Sequence, residues 1–197
     1  MTRVLLVLTF VLVAYGVARA QPNPEPTCNG CPATYIANEE LEAYLKRAIA
    51  DRTIDQQVRS VNVGKSNVAI GMVHRTKISA PGDVAEHDLV SEVYHVISGS
   101  ATLVTGPELV GAVRRPATNT NVRLLNGPGH NAKSIRSGVE HQLKTGDVVI
   151  IPAGTGHWFT KIDDHIDYLM IRIDPDKVTP LKSEAQSKEY LSKPAAR

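Results

Sequence analysis

The sequence has little net charge. Its 197 residues include 22 Lys+Arg and 20 Asp+Glu, which gives a formal charge of +2 at pH 7. The adjacent pair Arg114 and Arg115 is too short to form a basic patch. Neither nucleic acid nor an anionic membrane surface is therefore expected as a partner.

Long apolar runs are also scarce, and the one that matters stands at the N-terminus. "VLLVLTFVLVAYGV" is about 14 residues long, whereas a bilayer span needs about 20. It follows the basic "MTR" and precedes Ala18 and Ala20, an A-x-A pattern for signal peptidase. We expect a signal peptide at residues 1–20 and a secreted or periplasmic protein with no membrane association after cleavage. A membrane anchor is the alternative, which the short run disfavours.

Cysteine is limited to Cys28 and Cys31, in "TCNGC". In the cytosol this spacing would suggest a redox pair or half of a zinc site. No βαβ pattern surrounds it, however, and no further zinc ligands are evident nearby. In an exported chain the pair favours a disulfide within an irregular leader, residues 21–37.

Only one segment before the tail has a convincing helical pattern. Asn38 can cap a helix, and Glu39 and Glu40 fall in its first turn, where carboxylates are favourable. Apolar side chains then recur at helical spacing through Ile49. We predict an amphipathic helix over residues 38–51, within an N-terminal segment 38–55.

The remainder predicts an all-β domain over residues 56–175. At least seven short alternating stretches are separated by turn residues, with Gly99 read as the turn between "EVYHVIS" and "ATLVT". This pattern is typical of an antiparallel sandwich or barrel. Residues 107–138 are polar and rich in Gly, Pro and Asn, and predict a loop insert with a short hairpin around "VRLL". The tail, 176–197, predicts a short surface helix.

Two candidate ligands stand in "AEHDLVSEVYHVISG". His87 and Glu92 are five residues apart, and an odd separation on one strand places side chains on opposite faces. They can converge only if the chain turns or bulges between them. If Glu92 then points into a barrel, His95 points out of it.

A further histidine of interest stands in "GDVVIIPAGTGHWF". Gly146 opens a strand, and Pro152 and Gly154 end it in a tight turn. His157 follows the turn and can face the barrel mouth, with Lys161 on the same face of the strand.

These residues resemble the two motifs of the cupins, small jelly-roll β-barrels. The first has the form H-x-H, three or four residues, E, six residues, G, which His87, Glu92 and Gly99 fit. The second has the form G, five residues, P-x-G, two residues, H, three residues, N. Gly146, Pro152, Gly154 and His157 match it in spacing. The resemblance covers roughly residues 56–175 and implies an antiparallel cupin barrel, with the predicted helices at its two ends.

The resemblance also implies that His87, Glu92 and His157 bind a divalent metal inside the barrel. Two imidazoles and one carboxylate with open positions suit Fe(II), and also Mn, Ni or Zn. Open positions on such a metal would accept a substrate or dioxygen.

Two positions depart from the family pattern. Ala85 stands where the first histidine is expected, and Lys161 stands where the asparagine is expected. His74, on an earlier strand, is a candidate replacement ligand if the face with Ile70 and Met72 lines the barrel. Its alternative role is that of a hydrogen-bonded strand histidine.

The expected function is a metal-dependent enzyme acting on a small oxygen-rich organic molecule. Dioxygenase chemistry is favoured, with isomerase or lyase chemistry as further members of the class. Glu92 is a candidate base, and Tyr94 and Lys161 are candidates for orienting the substrate. A non-catalytic cupin that binds a small molecule or a metal is the alternative, and a storage role as in the usually two-barrel seed cupins is a third. Single cupin barrels tend to dimerise, so a homodimer is expected.

Overall fold

The structure is a computed structural model that describes residues 25–78 and 81–195. The predicted signal peptide lies outside these residues. The described chain contains two α-helices, one π-helical turn and a set of antiparallel strands. In order they are α1 (Asn38–Asp51), β1 (Asp55–Asn62), β2 (Asn67–Thr76), β3 (Val84–His87), β4 (Ser91–Gly106), β5 (Glu108–Val110), β6 (Val113–Arg114), the π-helical turn (Val122–Asn126), β7 (Gly129–Ala132), β8 (Ser134–Arg136), β9 (Val139–Lys144), β10 (Val148–Ile151), β11 (Gly156–Lys161), β12 (His165–Asp174) and α2 (Glu184–Ser192).

Two sheets share the long strand β4. Its first half pairs with β10 and β12, β12 pairs in turn with β2, and β2 pairs with β1 at the edge. Its second half pairs with β9 and β11, and β11 leads through β3 and β7 to β6. Every pairing is antiparallel, as the alternating sequence predicts. The predicted jelly-roll barrel with a helix near each end of the chain is confirmed.

Gly99 lies inside β4, so the prediction of a hairpin turn at this residue is wrong. Its φ of 75° is left-handed, and a Cβ there would lie 2.1 Å from the carbonyl oxygen of His165. Glycine is needed because β12 approaches the backbone closely where β4 passes from one sheet to the other.

Apolar side chains form one cluster inside the barrel and a second outside it. The inner cluster includes Tyr94, Leu103, Phe159 and Tyr168. The outer cluster lies between the helices and the outer face of β1 and β2: Ile36, Leu41, Tyr44, Leu45, Val58, Ile70, Met72, Leu169, Tyr190 and Leu191. The first sheet is therefore covered on both faces.

The predicted helix 38–51 is confirmed, but its predicted cap is wrong. Ala37 holds the capping position without a side-chain hydrogen bond. Asn38 is already helical and donates from Nδ2 to Glu42 Oε1 at 2.8 Å. Cys28 and Cys31 form the predicted disulfide.

The segment 107–138 is more ordered than the sequence predicted. It contains β5, β6, β7 and β8, and β7 pairs with β3 and thereby extends the second sheet. "VRLL" belongs to the π-helical turn, so the predicted hairpin there is wrong. Within residues 25–78 and 81–195, no helix has the length and apolar character that a membrane crossing requires.

Candidate metal centre

Three strands bring the predicted ligands together. His87 ends β3, Glu92 is the second residue of β4, and His157 is the second residue of β11. The chain leaves the sheet between His87 and Ser91. His87 and Glu92 therefore lie on different strands, and their odd separation does not force them to opposite faces. The predicted convergence of these side chains is thus what the fold produces.

The three side chains form a buried cluster. Their candidate ligand atoms all lie within 4.8 Å of one another. Glu92 Oε1 is 3.4 Å from His87 Nε2, and Glu92 Oε2 is 3.6 Å from His157 Nε2. The exposed fractions are 3% for His87, 1% for Glu92 and 7% for His157. The donor set and its spacing fit a divalent metal of the Fe(II), Mn or Zn kind.

His157 is oriented as a metal ligand should be. Its Nδ1 lies 3.2 Å from the carbonyl oxygen of Thr155. Because a carbonyl only accepts, Nδ1 carries the hydrogen and the Nε2 lone pair faces Glu92. Burial lowers the pKa of His157 to about 4, so the ring is neutral at physiological pH.

His87 has the opposite arrangement. Arg115 Nη2 lies 2.9 Å from His87 Nδ1. A guanidinium only donates, so Nδ1 accepts and the hydrogen of the neutral ring is on Nε2, the atom that faces Glu92. Asn126 belongs to the π-helical turn, and its Nδ2 lies 3.3 Å from His87 Nε2. The buried Oδ1 of Asn126 has no hydrogen-bond partner. Rotating this amide by half a turn would let Oδ1 accept from the Nε2–H of His87. Metal binding through Nε2 therefore requires the contact with Arg115 to change.

Glu92 is held from several sides. Tyr94 donates to Oε2 at 2.8 Å and Arg172 Nε donates to Oε1 at 3.3 Å. Burial alone would raise the pKa of Glu92, but His87, His157 and Arg172 lower it well below its ordinary value. The carboxylate is thus ionised, as a metal ligand must be.

Tyr94 supports this carboxylate from within the barrel core. Its ring lies 4.4 Å from that of Tyr168 and 6.4 Å from that of Phe159, measured between centroids. Burial and the charge of Glu92 raise the pKa of Tyr94 well above its ordinary value. Its hydroxyl keeps its proton and positions Glu92.

The structure does not bring two of the predicted residues to this cluster. His74 points to the outer face with Met72 and bonds Asp167 Oδ1 through Nδ1 at 2.6 Å. The suggestion that it replaces the missing ligand is wrong, because that face of β2 packs under the helices. Lys161 follows a register shift after Phe159 and is exposed beside Asp163, at 3.1 Å. The predicted substrate-orienting role of Lys161 does not fit this position.

The remaining histidines lie elsewhere. His95 is exposed, as predicted for a residue alternating with Glu92 and Tyr94. His141 Nε2 contacts the Thr105 hydroxyl at 2.9 Å. His130 contacts Glu86 at 2.8 Å, in a second group with Asp88 whose atoms could hold an ion.

Sequence reasoning missed Arg172, Arg115 and Asn126. Arg172 is 1% exposed and shares the inward face of β12 with Tyr168 and Met170. An arginine in the apolar stretch "IDYLMIRID" is a signal that could have marked it as the partner of a buried carboxylate. Arg115 and Asn126 lie in the segment predicted to be a loop, which carries no comparable signal.

Ala85 lies where the motif places a first histidine. It is directly opposite His157 in the pairing of β3 with β11 and two residues from His87. Side chains opposite each other, and those two apart on a strand, share a face. A longer side chain at this position would point toward the cluster.

Solved structures resemble the chain at low sequence identity. A protein of Bacillus halodurans aligns with 80% of this chain and 96% of its own, at 15% identity and a TM-score of 0.42. A cupin protein of Bacteroides fragilis aligns with 58% of this chain and 72% of its own, at 14% identity and a TM-score of 0.33. An RmlC-like cupin of Methanocaldococcus jannaschii with a double-stranded β-helix fold aligns with 62% of this chain and 84% of its own, at 14% identity and a TM-score of 0.37. No protein-family model and no curated protein matches the sequence.

The strand order, the antiparallel barrel and the positions of His87, Glu92 and His157 agree with the cupin motifs quoted above. The chain folds as an antiparallel jelly-roll barrel, and residues that match both motifs meet inside it.

Proposed function

We propose that this barrel binds one divalent metal through His87, Glu92 and His157 and acts as an enzyme on a small oxygen-rich organic molecule. The observation that supports the proposal is the buried cluster of two imidazoles and one ionised carboxylate within 4.8 Å. Fe(II) is the favoured ion, with Mn, Ni or Zn as alternatives. A bound ion of this kind would supply Lewis acidity or oxygen activation.

The roles of the chain's own residues follow from their contacts. The lowered pKa of Glu92 makes it a better ligand than base. Tyr94 and Arg172 hold its two oxygens and fix its orientation. Within the enzyme class, dioxygenase chemistry is favoured over isomerase or lyase chemistry, because the three-ligand set leaves positions open for both substrate and dioxygen.

A non-catalytic cupin that holds a small molecule or a metal is the second candidate. Two observations favour it. Ala85 supplies no ligand. Arg115 donates to His87 Nδ1, which would have to carry the ring hydrogen if Nε2 bound a metal. The two candidates differ in what happens to a substrate, and both predict a bound metal or ligand in the barrel.

Metal analysis of protein purified without oxygen tests the metal site of the proposed enzyme. We expect close to one equivalent of a first-row metal, its loss in His157→Ala, and its retention in the control His95→Ala, because His95 is exposed. Failure to bind metal even after reconstitution would refute the enzyme as proposed. Oxygen uptake with enediols, β-diketones and catechols then separates a dioxygenase from a binding protein.

We also propose export after cleavage before Gln21, and a homodimer in solution. Mass spectrometry of the mature N-terminus tests the first proposal, and sedimentation velocity tests the second. An intact residue 1 or a purely monomeric species would contradict the respective proposal.

A further inference from the structure

A cavity of about 730 Å³ lies where β1, the π-helical turn and the C-terminal segment meet. Its apolar wall is formed by Tyr44, Leu124, Leu125, Leu181 and Tyr190. Its volume lies in the range of small-molecule sites, which are lined mostly by apolar side chains together with a few polar groups that orient the ligand. Its polar lining includes two glutamines whose amide nitrogens have no hydrogen-bond partner.

Two buried glutamines in its wall have unused donors. Gln57 is 8% exposed, and its Oε1 accepts from Arg172 Nη1 at 2.9 Å. Because a guanidinium only donates, the amide cannot be reversed, and Nε2 is the end left without a partner. Gln56 is 5% exposed and accepts from the Tyr190 hydroxyl at 3.1 Å, and its Nε2 is also unpaired. Folded proteins rarely leave such buried donors unsatisfied.

Lys182 adds a positive charge to the same wall. Its ammonium donates to two neutral oxygens, the Tyr44 hydroxyl at 2.9 Å and the main-chain oxygen of Gln57. The same nitrogen lies 5.0 Å from the ring centroids of Tyr44 and Tyr190. Burial lowers the pKa of Lys182 to about 8, which leaves it mainly protonated at neutral pH. Asp51 and Asp55 also line the cavity, and their charges are paired with Arg47 and Arg172 respectively.

We propose that this cavity binds an organic acid with an apolar body, whose carboxylate accepts from Gln56 and Lys182 on the helix side of β1. The unpaired amide donor of Gln56 and the ammonium of Lys182 call for an acceptor group with negative charge. The leucine and tyrosine side chains would cover the apolar body. The inference rests on the cavity alone and is independent of the proposed metal chemistry.

Calorimetric titration of the metal-free protein with octanoate, octan-1-ol and acetate tests the proposal. We expect one octanoate per chain and binding about tenfold weaker for the alcohol, which lacks the charge that shortens and strengthens such hydrogen bonds. Each methylene added between acetate and octanoate should tighten binding about fourfold while it is still covered by the wall.

Three variants locate the binding site. Lys182→Met should weaken octanoate binding about tenfold, whereas the control Lys188→Met, on the exposed face of α2, should leave it unchanged. Leu124→Ala removes part of a half-exposed wall and should weaken octanoate binding about fourfold. Because Leu124 is at the surface, this variant tests the site even if Lys182→Met does not fold.

The proposal is overturned by any of four results. The first three are the absence of octanoate binding, equal affinity for octan-1-ol, and an affinity that both Lys182→Met and Leu124→Ala leave unchanged. The fourth is an equal loss in Lys188→Met, since that residue lies outside the cavity. Metal content is measured separately on the same preparations, so failure of this proposal is distinguishable from failure of the proposed metal site.

Discussion

Replacing Arg115 by methionine should tighten metal binding. In the present arrangement Arg115 donates to His87 Nδ1 at 2.9 Å, which keeps the hydrogen of the ring on Nε2. A metal on Nε2 displaces that hydrogen to Nδ1, where it would face the guanidinium. Metal binding to the native chain must therefore break this contact, whereas Arg115→Met has no such contact to break.

The size of the effect follows from the hydrogen bond that is lost. A hydrogen bond with a charged partner contributes about 1.5–3 kcal/mol, which corresponds to a factor of about 10–150 in the dissociation constant. Competition with a chromophoric chelator for Zn²⁺ or Mn²⁺ measures this constant without any assay of activity. Arg115→Gln should also tighten binding, because its side-chain oxygen can accept from Nδ1–H.

Arg114→Met is the matched control. Arg114 is exposed and contacts Asp88 at 2.8 Å, so its removal changes the charge of the same segment without touching His87. Arg115 also donates to the main-chain oxygens of Glu86 and His130, so thermal unfolding must show that the variant is folded. Metal affinity equal to that of Arg114→Met would refute the argument about His87.

Three further predictions concern the same end of the barrel. Arg172→Met should lower the free energy of unfolding by about 3–5 kcal/mol in urea, because it leaves two carboxylates without their buried cation. Arg136→Met, which removes an exposed pair at 3.9 Å, should cost less than about 1 kcal/mol, and an equal cost for both would contradict the assignment. His157 has a pKa of about 4 in the folded metal-free protein, below its unfolded value near 6.5. The unfolded chain therefore binds more protons between these two pH values. The contribution of His157 to the free energy of unfolding is fully present above about pH 6.5 and falls by up to about 3 kcal/mol toward pH 4. His157→Gln should lose this dependence in urea titrations at several pH values, and an unchanged slope would assign it to other groups. Ala85→His, on the face shared with His87 and opposite His157, should tighten Zn²⁺ binding in the chelator assay, and an unchanged affinity would mean that the added imidazole does not reach the cluster.

The strands could be predicted from a local pattern, and the three candidate ligands from their match to the two cupin motifs. Alternation with period two marks the strands, and the turn at Pro152 and Gly154 fixes the direction of His157. Glu92 and His95 could be sorted to opposite faces for the same reason, since one odd step along a strand reverses the side chain.

The errors arise where a second layer decides the outcome. β2 carries apolar residues on both faces, because the barrel core covers one face and the helices cover the other. Alternation alone therefore cannot say which face is inside, so it leaves both roles of His74 open, and the structure shows the hydrogen-bonded strand histidine. Lys161 was misplaced by a register shift after Phe159, which depends on the partner strand and leaves no mark in the local sequence.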